Sequence, residues 1–228
     1  MQEPAETYPG PDELSQVGSR ALLGAAFAVL ILYVVALKAL GTPPGAAATG
    51  DQVVTWFRED GEGVRWSVWA VAVSTLPFAV MFAILRNMLP APHRDVFFFG
   101  AIVAVMLYVV QSWILAGLAL HADRLEPATA RTVLDLGLFF GPVLTGATTT
   151  TIGPVTVLAL RGQAGLPRWL GVFGAIAFVE QAIETITIFG STGFIEPGGA
   201  MNMQLGAGLT VGWWMAFAIW GGLHGRHS

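Results

Sequence analysis

Six apolar stretches dominate this 228-residue chain: Ala21–Leu40, Ser67–Leu85, Val96–Leu120, Val133–Leu160, Trp169–Gly190 and Leu205–Leu223. Each reaches or nearly reaches the roughly 20 residues that a helix needs to cross a bilayer. Strands of a membrane barrel would be about half as long and would alternate apolar with polar residues, which these stretches do not. A helix in lipid satisfies its own backbone groups, so six spans leave only connections and tails outside. The expected fold is therefore all-α: a polytopic membrane protein, a bundle of six transmembrane helices over residues 21–223, with an acidic N-terminal tail at 1–20 and a short C-terminal tail at 224–228.

Composition narrows the function classes. The chain is 54% hydrophobic and only 11% charged, well on the apolar side of soluble domains. A net charge of −4 with no long basic run leaves no electrostatic footprint for nucleic acid. The count of Cys 0 removes disulfides, thiolate metal sites and thiol nucleophiles. Ahead of the first apolar stretch stand Glu3, Glu6, Asp12 and Glu13 rather than a basic leader region, so that stretch is expected to remain as helix 1.

With six spans both termini share one side. That side holds Arg20, Arg86, Arg94, Arg161, Arg168 and Arg226, and the other holds Lys38, Arg58, Arg65, Arg124 and Arg131. Because Arg86, Arg94, Arg161 and Arg168 lie in the shortest connections, the positive-inside rule favours N-in, C-in and a bacterial inner-membrane location. Asp51–Arg58 sets apolar Val53, Val54, Trp56 and Phe57 among polar residues, which suits a short interfacial helix. Trp66, Trp69, Trp169 and Trp220 fall near expected span ends, where indoles favour the interface. The fourth stretch is overlong, and a kink or break is expected near Pro142 or Pro154. Asp135 is expected to begin that helix, within reach of Arg131 one turn earlier.

Within the fifth stretch lie Glu180, Gln181 and Glu184. On a helix Glu180, Glu184, Thr187 and Ser191 follow i, i+4, i+7, i+11 spacing and share a stripe that should face protein or water. Carboxylates this close in low dielectric cannot both carry charge cheaply, so the pair is expected to share a proton. Intramembrane acids are default site candidates. Gln111 and Ser112, Ser74 and Thr75, Thr145, Thr148 and Thr149, and Thr210 lie at matching depth in other spans; among these Gln111, Thr148 and Thr149 join Glu180, Gln181 and Glu184 as ligand or proton site candidates.

Other chemistries are set aside. The sole lysine, Lys38, sits at the end of a span rather than deep in one, against a retinal Schiff base. His93, His121, His224 and His227 lie in loops, at a span end or in the tail, and E-Q-A-I-E carries no histidine, so neither haem nor a metal is expected. Gly190-Ser191-Thr192-Gly193 has no histidine placed to activate its serine.

Leu166-Pro167-Arg168-Trp169-Leu170-Gly171 and the run Ala128–Leu134 that leads into helix 4 give the chain a resemblance to a family of uncharacterised six-helix bacterial integral membrane proteins. That resemblance implies the fold and no established activity. The leading expectation is a protein that binds or transports a small solute or lipid, with Glu180 as the proton- or cation-binding carboxyl and Glu184 as its coupled neighbour. A scaffold or accessory subunit docking a partner helix, or a homo-oligomer, is the alternative. A lipid-modifying enzyme holding Mg²⁺ on the pair is less favoured, because the pair lies deep and no basic residue is at hand for phosphate. No catalytic residue or cofactor is expected.

Overall fold

A computed structural model of the chain describes residues 11–224. The expected N-terminal tail up to residue 10 and C-terminal tail from residue 225 lie outside the described residues. Seven α-helices follow in order: α1 (Pro11–Leu40), α2 (Gly50–Asn87), α3 (His93–Leu120), α4 (Pro127–Leu138), α5 (Phe140–Leu160), α6 (Arg168–Glu184) and α7 (Ala207–His224). There is no strand among the described residues. Five helical stretches are long and apolar enough to cross a membrane: Gln16–Leu40, Gly50–Asn87, His93–Leu120, Pro127–Leu160 and Arg168–Phe189. Helix α7 adds 18 residues packed among them.

The long helices form a ring that follows chain order. Helix α1 packs on α2, α2 on α3, α3 on α5, α5 on α6, α6 on α7, and α7 returns to α1. Short α4 lies against α2 and α3. Aromatic side chains anchor α7: Trp213, Trp214 and Phe217 are fully buried. The indole of Trp213 donates to the Leu170 carbonyl at 3.2 Å and that of Trp214 to the Thr151 hydroxyl at 3.0 Å, so neither N–H is stranded.

Several boundaries differ from expectation, each for a local reason. Asp51–Arg58 is no separate interfacial helix; it forms the first turns of a continuous 38-residue α2. A capping box, Thr49 with Gln52, starts the helix there, and Gly61 and Gly63 do not interrupt it. Val53, Val54, Phe57 and Val64 are buried, while Arg58, Glu59, Asp60 and Glu62 are exposed. At 1.5 Å per residue this 38-residue helix is about 57 Å long, far beyond the roughly 30 Å needed to cross a hydrocarbon core, and Arg58, Glu59 and Asp60 lie in its first third.

The overlong fourth stretch is two helices. Pro142 has no N–H and its ring crowds the carbonyl four residues back, at Leu138; the helix breaks at Phe139. Gln111 of α3 donates to the Gly137 carbonyl at 3.2 Å, beside that break. Pro154 is carried within α5 and Pro77 within α2. Helix α4 starts at Pro127, ahead of the expected Val133, because Pro suits the first helical position and Glu126 caps it. Asp135 therefore sits in the last turn rather than the first, where it pairs with Arg131 at 2.5 Å. Arg131 also donates to the Gly45 carbonyl at 2.9 Å, and Glu196 accepts from the Ala46 N–H at 3.0 Å, which ties down the α1–α2 connection.

Helix α6 gives way to a 3-10 turn, Thr185–Phe189. The run Thr185-Ile186-Thr187-Ile188 is β-branched throughout, and the Thr185 hydroxyl donates to the Ala182 carbonyl at 2.7 Å in competition with the helical pattern. Conversely, the last helical passage begins earlier than Leu205, as a π-helical turn, Met201–Gly206, that runs into α7.

Glu126 offers a test of the α4 start. The N–H groups of Thr129 and Ala128 hold its carboxyl below the usual carboxylate range. A depressed carboxyl contributes stability above its unfolded value and loses it as pH falls through the folded one. Hydrogen exchange at Ala128 and Thr129 should therefore speed up, beyond its intrinsic pH trend, only when pH drops below the ordinary carboxylate range. In Glu126→Gln that acid-triggered step should vanish.

Candidate functional site

The inner face of α6 begins with small residues. Gly171, Gly174 and Ala177 are buried at helical spacing, and Gln181 and Glu184 continue the same line. Small side chains let neighbouring helices approach closely, so Gln181 and Glu184, which follow on that line, are pressed into the bundle. Glu180, Gln181 and Glu184 are exposed by only 8%, 3% and 3%.

Gln181 joins the two carboxylates. Its Nε2 donates to Glu184 Oε2 at 2.5 Å and to Glu180 Oε2 at 3.0 Å, while its Oε1 accepts from the Thr148 hydroxyl of α5. Asn202, on the π-helical turn, donates through Nδ2 to Glu184 Oε1 at 2.5 Å and to the Thr187 hydroxyl at 3.2 Å. Its Oδ1 accepts from the Gly198 N–H at 3.0 Å. A backbone N–H can only donate, so this last bond fixes which way the Asn202 amide points. Both oxygens of Glu184 are thus acceptors, each held by an amide. Two glycines make room: a Cβ on Gly206 would run into Glu184 Oε2 and Gln181 Nε2, and one on Gly141 would come within 2.9 Å of the Asn202 side chain.

Glu184, Gln181, Thr148 and Asn202 line an interior cavity of about 130 Å³, together with Gln111 and Tyr108 of α3. Water needs only about 10–15 Å³ of such space, so several waters or a small solute would fit. The cavity lies where two apolar clusters meet. Leu115 and Leu134 belong to one and Phe78 and Leu144 to the other, and all four reach its wall.

Some hydroxyls around the cavity are bonded within their own helices. Ser74 donates to the Val71 carbonyl at 2.7 Å and Ser112 to that of Tyr108 at 2.9 Å, while the single proton of Thr148 is shared between the Thr145 carbonyl at 3.0 Å and Gln181 Oε1. The hydroxyls of Tyr33, Ser67, Tyr108 and Thr210, also on the wall, donate to no protein group. The wall therefore offers both donors and acceptors, beside a carboxylate that has two further lone-pair sites.

Not every expected residue arrives here. Glu180 lines a separate groove on the outer side of α6 rather than the cavity. Thr149 bonds the Thr145 and Gly146 carbonyls of its own helix, at 2.7 and 3.0 Å, and is not among the cavity's lining residues. Ser191 is exposed, so the polar stripe ends at buried Thr187. Gln111 reaches the cavity but spends a donor on the backbone beside the Phe139 break. Hydropathy alone does not find Asn202, because Met201–Gln204 precedes the sixth apolar stretch and reads as connection. Its signal was an Asn four residues ahead of a Gly, one turn before an apolar block. No group of three or more His, Asp or Glu that could hold a metal gathers among the described residues.

Compared with known protein families, curated proteins and solved structures, the chain finds no match. The resemblance at Leu166–Gly171 and Ala128–Leu134 rests on those residues alone.

Removing the Asn202 amide should be costly. Asn202→Leu leaves Glu184 Oε1 and the Gly198 N–H without partners, an expected loss of about 1–3 kcal/mol per buried group, read as a lower unfolding midpoint in SDS titration. Gly206→Ala should lower it too, by about 1–3 kcal/mol of overpacking. Thr149→Val, outside the network, should leave the midpoint within about 0.5 kcal/mol of the wild type.

Proposed function

We propose that the chain is a six-span membrane protein of the bacterial inner membrane, N-in and C-in, that binds and moves a small solute through its interior cavity. Glu184 is the carboxyl that receives the solute or exchanges a proton for it, and Glu180 is its coupled neighbour. This exchanges the roles expected from sequence order. The observation that carries the reading is the placement of Glu184: a buried carboxyl, held on both oxygens by amides, on the wall of a polar-lined interior cavity. A carboxyl so placed, with lone pairs to spare, suits a guest that donates hydrogen bonds or carries positive charge. Helix α5, broken from α4 ahead of Pro142, forms part of that wall through Leu144 and Thr148. The inward placement of Glu184 and Asn202 speaks against a docking face for a partner helix, which would need them at the surface.

Proteoliposomes under an imposed pH gradient provide the test, with labelled methylammonium and guanidinium as probes. Uptake should depend on the gradient in the wild type and fall about tenfold or more in Glu184→Gln, the loss of one charge-assisted bond. Equal, gradient-independent uptake in the wild type and in Glu184→Gln would sink the carboxylate mechanism.

A further inference from the structure

Four polar side chains on the cavity wall stand outside the hydrogen-bonded frame of the protein. The hydroxyls of Tyr33 on α1, Ser67 on α2 and Tyr108 on α3 have no partner among the described residues. Gln111, one turn along α3 from Tyr108, spends Nε2 on the Gly137 carbonyl and leaves its Oε1 unpaired. Thr210 Oγ1 is unpaired and fully enclosed, whereas these four groups keep open surface on the wall. An unpaired polar atom inside a bundle costs stability that a matching group on a guest would recover. The four also face the acid. In the circuit of long helices α2 stands across from α6, with α1 and α3 on either side of it. The hydroxyl set thus comes from one half of the bundle. The Glu184 network comes from the other half, where Gln181, Asn202 and Thr148 hold it together.

We propose that Tyr33, Ser67, Tyr108 and Gln111 form an alcohol-recognising subsite, and that the guest of the cavity is a small amino alcohol. Its ammonium goes to Glu184 and its hydroxyl to this subsite. The inference rests on Glu184 as the carboxyl that receives the guest, and it adds the residues that choose among amines. The donor and acceptor inventory selects this occupant. Among the described residues no Lys, Arg or His lines the cavity, so a carboxylate or phosphate on the guest would meet an acid and no counter-charge. A second ammonium carries donors alone and would leave the phenol protons unused. An ether or carbonyl oxygen accepts only and would leave Gln111 Oε1 unpaired. A hydroxyl does both: it takes a proton from Tyr33, Ser67 or Tyr108 and gives its own to Gln111 Oε1. The cavity, at about 130 Å³ against the 10–15 Å³ or so that one water needs, admits a molecule of that size.

The test is titration calorimetry on the full chain in lipid nanodiscs, corrected against empty nanodiscs, with ethanolamine and n-propylamine. These two amines differ by a hydroxyl in place of a methyl group. Ethanolamine should bind about tenfold more tightly, the worth of one hydrogen bond. Tyr33→Phe and Tyr108→Phe combined should bring that ratio close to one, chiefly by weakening ethanolamine. Because neither hydroxyl holds a protein group, the double variant should keep the wild-type midpoint in SDS unfolding, which a structural role would lower. Glu184→Gln should weaken both amines alike and preserve the ratio. Equal affinities in the wild type, or a ratio that survives the double tyrosine variant, overturn the subsite. If equal affinities still fall together in Glu184→Gln, the carboxyl reading stands and this proposal fails. If the ratio holds while Glu184→Gln changes neither affinity, the role of the acid fails and that of the tyrosines stands. Binding of neither amine overturns both.

Discussion

A carboxylate removed from water must be solvated by the protein, and the way this chain solvates Glu184 organises much of what surrounds it. Two amides, Gln181 and Asn202, supply the donors. Each is oriented in turn, Gln181 with its Oε1 bound by a threonine of α5 and Asn202 by the Gly198 N–H. Those needs fix the neighbours: α5 must bring Thr148 close, the approach to α7 must open into a π-helical turn that carries Asn202, and glycines must stand at 141 and 206. One buried carboxyl thus specifies contacts among three separate segments of the chain.

The helices meet this demand in a closed circuit. Each long helix packs on its predecessor, and α7 shuts the circuit by its aromatic face. Two apolar clusters supply the packing, with the polar network and cavity between them. Gln181 is the partition: the cavity and Glu184 lie on one side of it, and the groove and Glu180 border the other. Four residues of helical spacing were enough to place two acids of one motif on different surfaces.

Helix and membrane class were legible from the length of the apolar runs, because a bilayer imposes its thickness on any helix that crosses it. Burial of Glu180, Gln181 and Glu184 followed from their cost in lipid. What did not follow came from features that hydropathy does not weigh. The charged run Arg58–Glu62 looked like a connection, yet a capping box and helix-compatible residues carry α2 through it. The Glu126-Pro127 pair is a helix-start signal that outranks the polar character of its neighbours. The β-branched residues after Glu184 shorten α6, and Asn202 belongs to a helical turn that begins before the apolar run does. Periodicity gives the face of one helix; which faces of other helices meet it is a property of tertiary packing, and that is why Thr148 joined the network and adjacent Thr149 did not.

The circuit in chain order also sets a sequence of events in biosynthesis. Helices α1 to α6 can settle against their predecessors as they emerge, but the enclosure is unfinished until the final passage arrives. Before that, Glu184 has Gln181 and lacks Asn202, and the space it faces lacks one wall. The cavity is therefore enclosed only when Met201–His224 enters the gap between α6 and α1. A chain that stopped short of residue 201 would leave Glu184 with one of its two amide donors and one wall of its cavity open.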